Sequence, residues 1–412
     1  MYKRIAAILL SVTGVSLCFG QQADGCPPVL EMRDGVRVTT VREWERIRRP
    51  EILELFATQM YGVDPGTKVK TSYRVLEEDA RALGGKATRR QVRMTFAANG
   101  MERTADMLLY IPNGVRRPVP VIVGLNFQGN YATTSDPAVL MTDRWVPYPK
   151  GINRPADSLR GRAASRWPYE RAVERGYAVA TIFNGDFFSD RREGYDGSVL
   201  PMLYAGSTVP DSARMKAVGA WAWGLSRAVD YFEKARELDA RRIVLLGHSR
   251  LGKAALWAGA SDPRFSVVVS NDSGSTGAAL ARNKRGENVE RINRNFPYWF
   301  ADNYKKYNDN EFALPVDQHL LLALVAPRPL YVGSASRDQW ADPAGEFGAA
   351  RLCGDAYRLY GLRPLEWKGE GLPPVNTPLQ KGDVAYHLRE GKHDITLYDW
   401  ERYMDFADKY FK

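Results

Sequence analysis

The stretch at 242–256 constrains the fold of this chain more than any other. It reads Arg242-Ile243-Val244-Leu245-Leu246-Gly247-His248-Ser249-Arg250-Leu251-Gly252-Lys253-Ala254-Ala255-Leu256. A short run of branched apolar residues suits a strand buried on both faces, and the alanine-rich continuation suits a helix. The glycine-flanked serine between them must turn the chain sharply. Such an elbow lifts the Ser249 hydroxyl above the carboxyl end of a sheet and aims the next helix's free N–H groups at any negative charge formed there. The commoner form of this turn carries its second glycine two residues after the serine. Here Leu251 takes that place and the glycine falls at Gly252.

The rest of the chain supplies the sheet that the elbow needs. Strand-like runs at 72–75, 88–96 and 105–111 predict an antiparallel edge, the second alternating through Val92, Met94 and Phe96. Residues 119–125 are continuously apolar, the mark of a central strand, and end in Asn126-Phe127-Gln128-Gly129-Asn130, a loop expected beside the serine. Further strands are predicted at 177–183, 243–246, 265–270, 329–332 and 384–388, with helical segments between them. A helix is predicted over 41–61, after a polar lead-in at 21–34 that is expected to wrap on the surface. Residues 131–170 are loop-rich, with Pro137, Pro147, Pro149 and Pro155, and read as an insertion across the top of the sheet. Strands alternating with helices after 119 give a mainly parallel sheet with helices on both faces, the three-layer sandwich of the α/β-hydrolase fold. No repeat or linker divides the chain, so 21–412 is expected to form one catalytic domain.

The N-terminus reads as a secretory signal at 1–20: Lys3 and Arg4, then an apolar run from Ile5 to Phe19, then Gly20. That predicts a secreted or periplasmic protein. Lipid attachment at Cys18 fits less well, because Leu17 precedes it where a small residue is expected. Cleavage would leave Cys26 and Cys353, which in an exported chain could form one disulfide. The formal charge of +10 would fall to +8 (10 − 2) with Lys3 and Arg4 gone. A basic exported surface favours an acidic polysaccharide, against the plainer reading of scattered solvated charge. No nucleic-acid-binding motif, no later membrane span and no Cys/His cluster of metal-ligand spacing is present in the sequence, and neither a metal nor an organic cofactor is expected. A monomer is expected.

A serine hydroxyl needs a base to take its proton and a carboxylate to hold that base. The chain has four histidines. His248 adjoins Ser249 but is expected to point the other way and to act as a packed or hydrogen-bonded support. His319 opens a helix-like segment and reads as a core or cap residue, and His387 lies inside the last strand. His393, in Gly391-Lys392-His393-Asp394, follows that strand and completes the serine, acid, histidine order of the fold. For the acid, two aspartates follow strands that open on the same face: Asp272, in Ser270-Asn271-Asp272-Ser273-Gly274, and Asp338, in Ser334-Ala335-Ser336-Arg337-Asp338. Either could reach the imidazole, and aspartate is also a common loop cap. Arg250 places a permanent cation next to the nucleophile, which is costly in a cleft unless an anion such as an oxyanion appears there.

Gly247-His248-Ser249-Arg250-Leu251-Gly252-Lys253 resembles the G-(C/H)-S-R-x-G-K signature of glucuronoyl esterases, carbohydrate esterase family fifteen, in its bacterial form. The resemblance covers essentially all of 21–412. Supporting stretches include Gly124-Leu125-Asn126-Phe127, Asn295-Phe296-Pro297-Tyr298-Trp299-Phe300 and Asp338-Gln339-Trp340-Ala341-Asp342-Pro343. It implies Ser249 as nucleophile, His393 as base and Arg250 as an oxyanion-hole contributor. It further implies Lys253 and Glu287 as contacts to uronate hydroxyls, and Trp340 as a wall of the same pocket. The alternatives are a solvated lysine, a loop carboxylate and a core aromatic. The family often carries glutamate where this chain has Asp272, whose shorter arm reaches less far, so Asp338 is expected to be the main acid and Asp272 a secondary member.

The function so implied is hydrolysis of esters between (4-O-methyl-)glucuronic acid of glucuronoxylan and lignin alcohols. Two other readings are an acetyl-xylan-type esterase of the same mechanism and a catalytically silent carbohydrate-binding protein on the same fold. The intact serine, histidine and acid speak against the last.

Overall fold

The computed structural model describes residues 25–116, 118–147, 155–283 and 285–412, so the signal peptide expected at 1–20 lies outside the described residues. Nine strands form one sheet: β1 Lys70–Ala82, β2 Ala87–Ala98, β3 Met101–Pro112, β4 Val119–Asn126, β5 Ala178–Phe183, β6 Leu238–His248, β7 Val267–Asn271, β8 Leu330–Ala335 and β9 Val384–Arg389. Their order is β1-β2-β3-β5-β4-β6-β7-β8-β9. The first three pair antiparallel, β3 meets β5 antiparallel, and β5 through β9 run parallel. All nine coincide with runs read from the sequence, including the antiparallel edge.

The apolar runs exist because the parallel strands are covered on both sides. In β6, Ile243 and Leu245 enter one core while Val244 and Leu246 enter the other. In β7, Val268 faces the first core, and Val267 and Val269 the second. Alternation sends successive side chains to opposite faces, so a strand buried on both must be apolar throughout. The first core is covered by α1 Arg49–Phe56, α3 Ala217–Phe232, α4 Arg250–Ser261, α6 Gln318–Ala323 and α7 Pro343–Leu352; the second by α2 Tyr169–Glu174 and α8 Leu397–Phe411. A further helix, α5 Val289–Asn295, stands in the long segment after β7. Each large side chain buried in these layers contributes about 1.5–3 kcal/mol relative to exposure. No helix among the described residues is long and apolar enough to cross a membrane.

One expectation needs correction, and one open question is answered. The lead-in is only partly a surface wrap: Cys26 is buried, Val29 joins the first core, and Arg48 donates from Nε to the Val29 carbonyl at 3.1 Å. Such backbone anchoring fixes a segment whose polar, proline-containing composition reads as loose. The thiols of Cys26 and Cys353 are not bonded to each other. Cys26 lies 4.0 Å from an Asp317 carboxylate oxygen, and Cys353 donates to the Ala350 carbonyl from inside the first core.

Candidate active site

Strand β6 delivers Ser249 to the carboxyl edge of the sheet, and the chain reverses there into α4. Ser249 has φ 57° and ψ −132°, a conformation that costs a non-glycine residue of order 1–3 kcal/mol. The flanking glycines are required by contact. A Cβ on Gly247 would stand 2.2 Å from the Leu251 carbonyl oxygen, and one on Gly252 would stand 2.9 Å from Ser273 Cβ. Leu251, at the place of the usual second glycine, is buried in the first core. The displaced glycine therefore marks the helix residue that touches the end of β7.

His393 arrives from the loop after β9. Its Nε2 lies 2.9 Å from Ser249 Oγ, and its Nδ1 lies 2.5 Å from Asp338 Oδ2. Asp338 stands in the loop after β8, which is tied to the histidine loop by Ser336 N–H to the Arg389 carbonyl and Arg337 N–H to the Gly391 carbonyl, both 2.8 Å. Arg389 braces the same loop, donating to the Lys392 and Asp394 carbonyls at 3.0 and 2.9 Å. Asp272 approaches without joining the chain. Its Oδ2 accepts from Asp394 N–H at 3.3 Å and lies 3.6 Å from Arg389, while its Oδ1 is buried with no hydrogen-bond partner among the described residues. Burial raises the Asp272 carboxyl well above the usual range, and the Glu346 and Asp338 carboxylates add to the effect. Asp272, Asp338 and His393 form the one cluster of metal-ligating groups among the described residues, with ligand atoms within 4.8 Å of one another, and its histidine is already shared between Ser249 and Asp338.

The other histidines are supports. His248 does not point away from the site: its ring centroid lies 4.8 Å from that of His393. Its Nδ1 accepts from the Asn271 amide at 2.9 Å, and burial followed by the His393 and Arg166 charges holds its pKa well below the ordinary value. It is a neutral platform for the His393 ring. His319 donates to the Pro27 carbonyl at 2.8 Å, and His387 is sealed between Tyr331 and Asp399.

Arg250 extends from the first residue of α4. Its Nη1 lies 2.5 Å from Asp190 Oδ2, and its guanidinium carbon lies 4.8 Å from the Trp299 ring centroid and 5.5 Å from that of Phe296. Asp190 is fixed in turn: Trp299 donates to its other carboxylate oxygen at 2.8 Å, and the Tyr298 hydroxyl to its carbonyl at 3.2 Å. Arg250 Nε has no hydrogen-bond partner among the described residues. Lys253, one turn further, is buried rather than solvated. Its Nζ donates to the Ser273 and Ser275 carbonyls, each at 2.5 Å, which leaves a third N–H. Burial lowers its pKa to about 8, against the pull of the Glu287 and Glu346 carboxylates. Glu287 lines the same cleft; burial raises its pKa, and Lys253 and a hydrogen bond from Trp340 oppose the rise. Trp340 is half exposed, not a core aromatic, and its carbonyl accepts from Glu287 N–H at 3.1 Å. Arg250, Lys253, Glu287, Trp299 and Trp340 line one open cleft with about 340 Å³ of space, together with Ser249 and His393.

The fungal glucuronyl esterase family model matches residues 176–361, which include the elbow, Arg250, Lys253, Glu287, Asp338 and Trp340. A carbohydrate esterase of an unknown prokaryotic organism is 43% identical over 386 residues, 93% of this chain and 88% of that protein. The solved glucuronoyl esterase of Solibacter usitatus is 43% identical and superposes with a TM-score of 0.88 over 95% of this chain and 99% of its own. This chain belongs to the glucuronoyl esterases, carbohydrate esterase family fifteen. As such it is a carboxylic ester hydrolase. A promiscuous family-fifteen esterase from a marine bacterial metagenome, also 43% identical, superposes with a TM-score of 0.87 over 93% of this chain and 96% of that one.

For this glucuronoyl esterase family member, sequence reasoning missed Asp190, Arg389 and Glu346. Asp190 lies in the polar 184–194 loop, where nothing local distinguishes one carboxylate from its neighbours. Glu346, on α7, accepts from Ser334 Oγ at 2.6 Å and Gly274 N–H at 2.9 Å, and burial raises its pKa to about 7. The signal that could have found it is a glutamate on the apolar side of a helix beside two motif loops.

Proposed function

We propose that this protein hydrolyses glucuronate esters through an acyl-enzyme, with the ester between (4-O-methyl-)glucuronic acid of glucuronoxylan and a lignin alcohol as its substrate. The reading rests on one observation, the continuous chain Ser249 Oγ, His393 Nε2, His393 Nδ1 and Asp338 Oδ2 with Arg250 beside it. His393 takes the Ser249 proton as Oγ attacks the uronoyl carbonyl, and Asp338 holds the imidazole in the tautomer that accepts it. The oxyanion meets the Arg250 guanidinium and the free N–H groups that open α4. His393 then protonates the departing alcohol, and water repeats the sequence on the acyl-enzyme. Asp272 supports the histidine loop through the Asp394 N–H and acts as a secondary member of the acid pair. Lys253 and Glu287 bind sugar hydroxyls, a donor and an acceptor 34 positions apart in the sequence that line one cleft, and Trp340 covers the ring.

The protein acts as a single catalytic domain, exported to the periplasm or beyond after loss of 1–20. A second reading, in which acetyl esters are also cleaved, is favoured by the relative described as promiscuous. The test is steady-state hydrolysis of methyl, benzyl and allyl glucuronates beside acetylated xylan. Higher kcat/KM on the uronates, and loss of at least about 10⁴-fold in Ser249→Ala with an unchanged fold, are expected. Preference for acetyl esters, or persistent turnover in the variant, overturns the assignment.

A further inference from the structure

A second groove, with about 510 Å³ of space, opens on the same face as Ser249. It is built from the loop after β5, through Phe188, Arg192 and Tyr195, from Arg214 and Lys216 just before α3, and from Tyr298. The segment at 296–299 is the partition between the two spaces: Phe296 and Trp299 line the cleft, while Pro297 and Tyr298 line the groove. The Tyr298 hydroxyl bonds the Asp190 carbonyl, so the groove's wall is also the mount of Arg250.

We propose that this groove is a binding site for an acidic saccharide, a neighbouring stretch of the polymer whose ester is cleaved. The proposal rests on the uronate-ester reading above. Three features carry it. The lining holds three cations against one carboxylate, Asp211, an excess of two. Arg214 pairs with Asp211 at 2.9 Å and Lys216 with Asp302 at 2.7 Å, whereas exposed Arg192 makes no ion pair among the described residues. That guanidinium is open to a carboxylate by a bidentate contact. Tyr195 is exposed at the groove's edge, and the half-buried Tyr298 ring packs parallel on the buried Phe188 ring with centroids 6.3 Å apart, so that Tyr195 and Tyr298 offer faces that suit the C–H surface of a pyranose. Finally, strand order separates the groove from the alcohol. β5 and β9 lie on opposite sides of β6, and His393, which gives the departing alcohol its proton, comes from the β9 side. A neutral aryl alcohol has no use for the charge, and it leaves on the other flank.

The experiment compares the wild type with Arg192→Ala, Tyr195→Ala and the double variant on two benzyl esters, one of monomeric glucuronic acid and one of a xylo-oligosaccharide carrying several glucuronates. The double variant is expected to raise KM for the oligosaccharide about tenfold, the loss of one charge-assisted contact and one stacking face, with monomer kinetics unchanged. Equal KM for both substrates in wild type and variants overturns the proposal. So does a KM change that follows the size of the aryl alcohol on the monomer, which would assign the groove to the alcohol. Calorimetric titration with the de-esterified acidic oligosaccharide and its neutral counterpart separates this proposal from the uronate-ester reading. Tighter binding of the acidic chain, lost in the double variant, supports the groove even if no uronate ester is cleaved, and equal binding of the two chains overturns it.

Discussion

Arg250 is about two-thirds buried beside Ser249, where Asp190 supplies the carboxylate that pairs its charge and the Trp299 and Phe296 rings flank it. Removing that charge while keeping the shape tests the arrangement. Asp190→Asn is expected to lower kcat on benzyl glucuronate about tenfold with little change in KM, because the oxyanion exists only after attack. Asp338→Asn should cost on the order of 10³–10⁴ in kcat, since an asparagine favours the wrong histidine tautomer, whereas Asp272→Asn should cost less than about tenfold. A severe loss only in Asp272→Asn would reverse the assignment of the acid. Lys253 makes a pH prediction. Its pKa is lowered to about 8, so the ammonium is full below that value and loses a proton as pH rises through it. With two N–H groups committed to the Ser273 and Ser275 carbonyls, the lost proton is the one facing the sugar. KM for uronate esters should therefore rise above pH 8 in the wild type and lose that inflection in Lys253→Met, as steady-state pH profiles would record.

At the scale of the element, the β6–elbow–α4 unit was legible because every part of it is local. The apolar run, the glycines and the alanines all lie within fifteen residues, and their order admits only one path. What local reading could not assign was the purpose of Leu251 and Gly252. The Cβ geometry shows that α4 closes on Ser273 at Gly252, so Gly252→Ala should cost about 1–3 kcal/mol by overpacking. Urea unfolding measures that, and a loss of kcat beyond the loss of folded protein would show that the elbow itself has shifted. The lead-in and the 184–194 loop were read less well, because their contacts are made to residues far along the chain and carry no periodicity.

Over the whole molecule, the formal charge of +10, or +8 without Lys3 and Arg4 (10 − 2), goes with a cleft and a groove that both present cations. Attraction between exposed charges is screened by salt with a Debye length of about 10 Å at 0.1 M. Raising NaCl should increase KM for a glucuronate-rich oligosaccharide ester while leaving KM for uncharged benzyl glucuronate unchanged. Parallel behaviour of the two substrates would mean that the basic surface does not act in binding.

Sequence alone determined the strand runs, the antiparallel edge and the elbow that carries Ser249, and it put His393 in the loop after the last strand, because each is written in local periodicity or in the order of elements. The tertiary structure decided which carboxylate faces the imidazole. Asp338 and His393 are 55 positions apart, and Ser249 and His393 144, so their meeting depends on β8 and β9 lying side by side and on how their loops are tied. It also decided that Lys253 is buried and that Asp190 holds Arg250. Burial and the pairing of distant charges follow from how the layers close over one another, and no spacing along the chain encodes that.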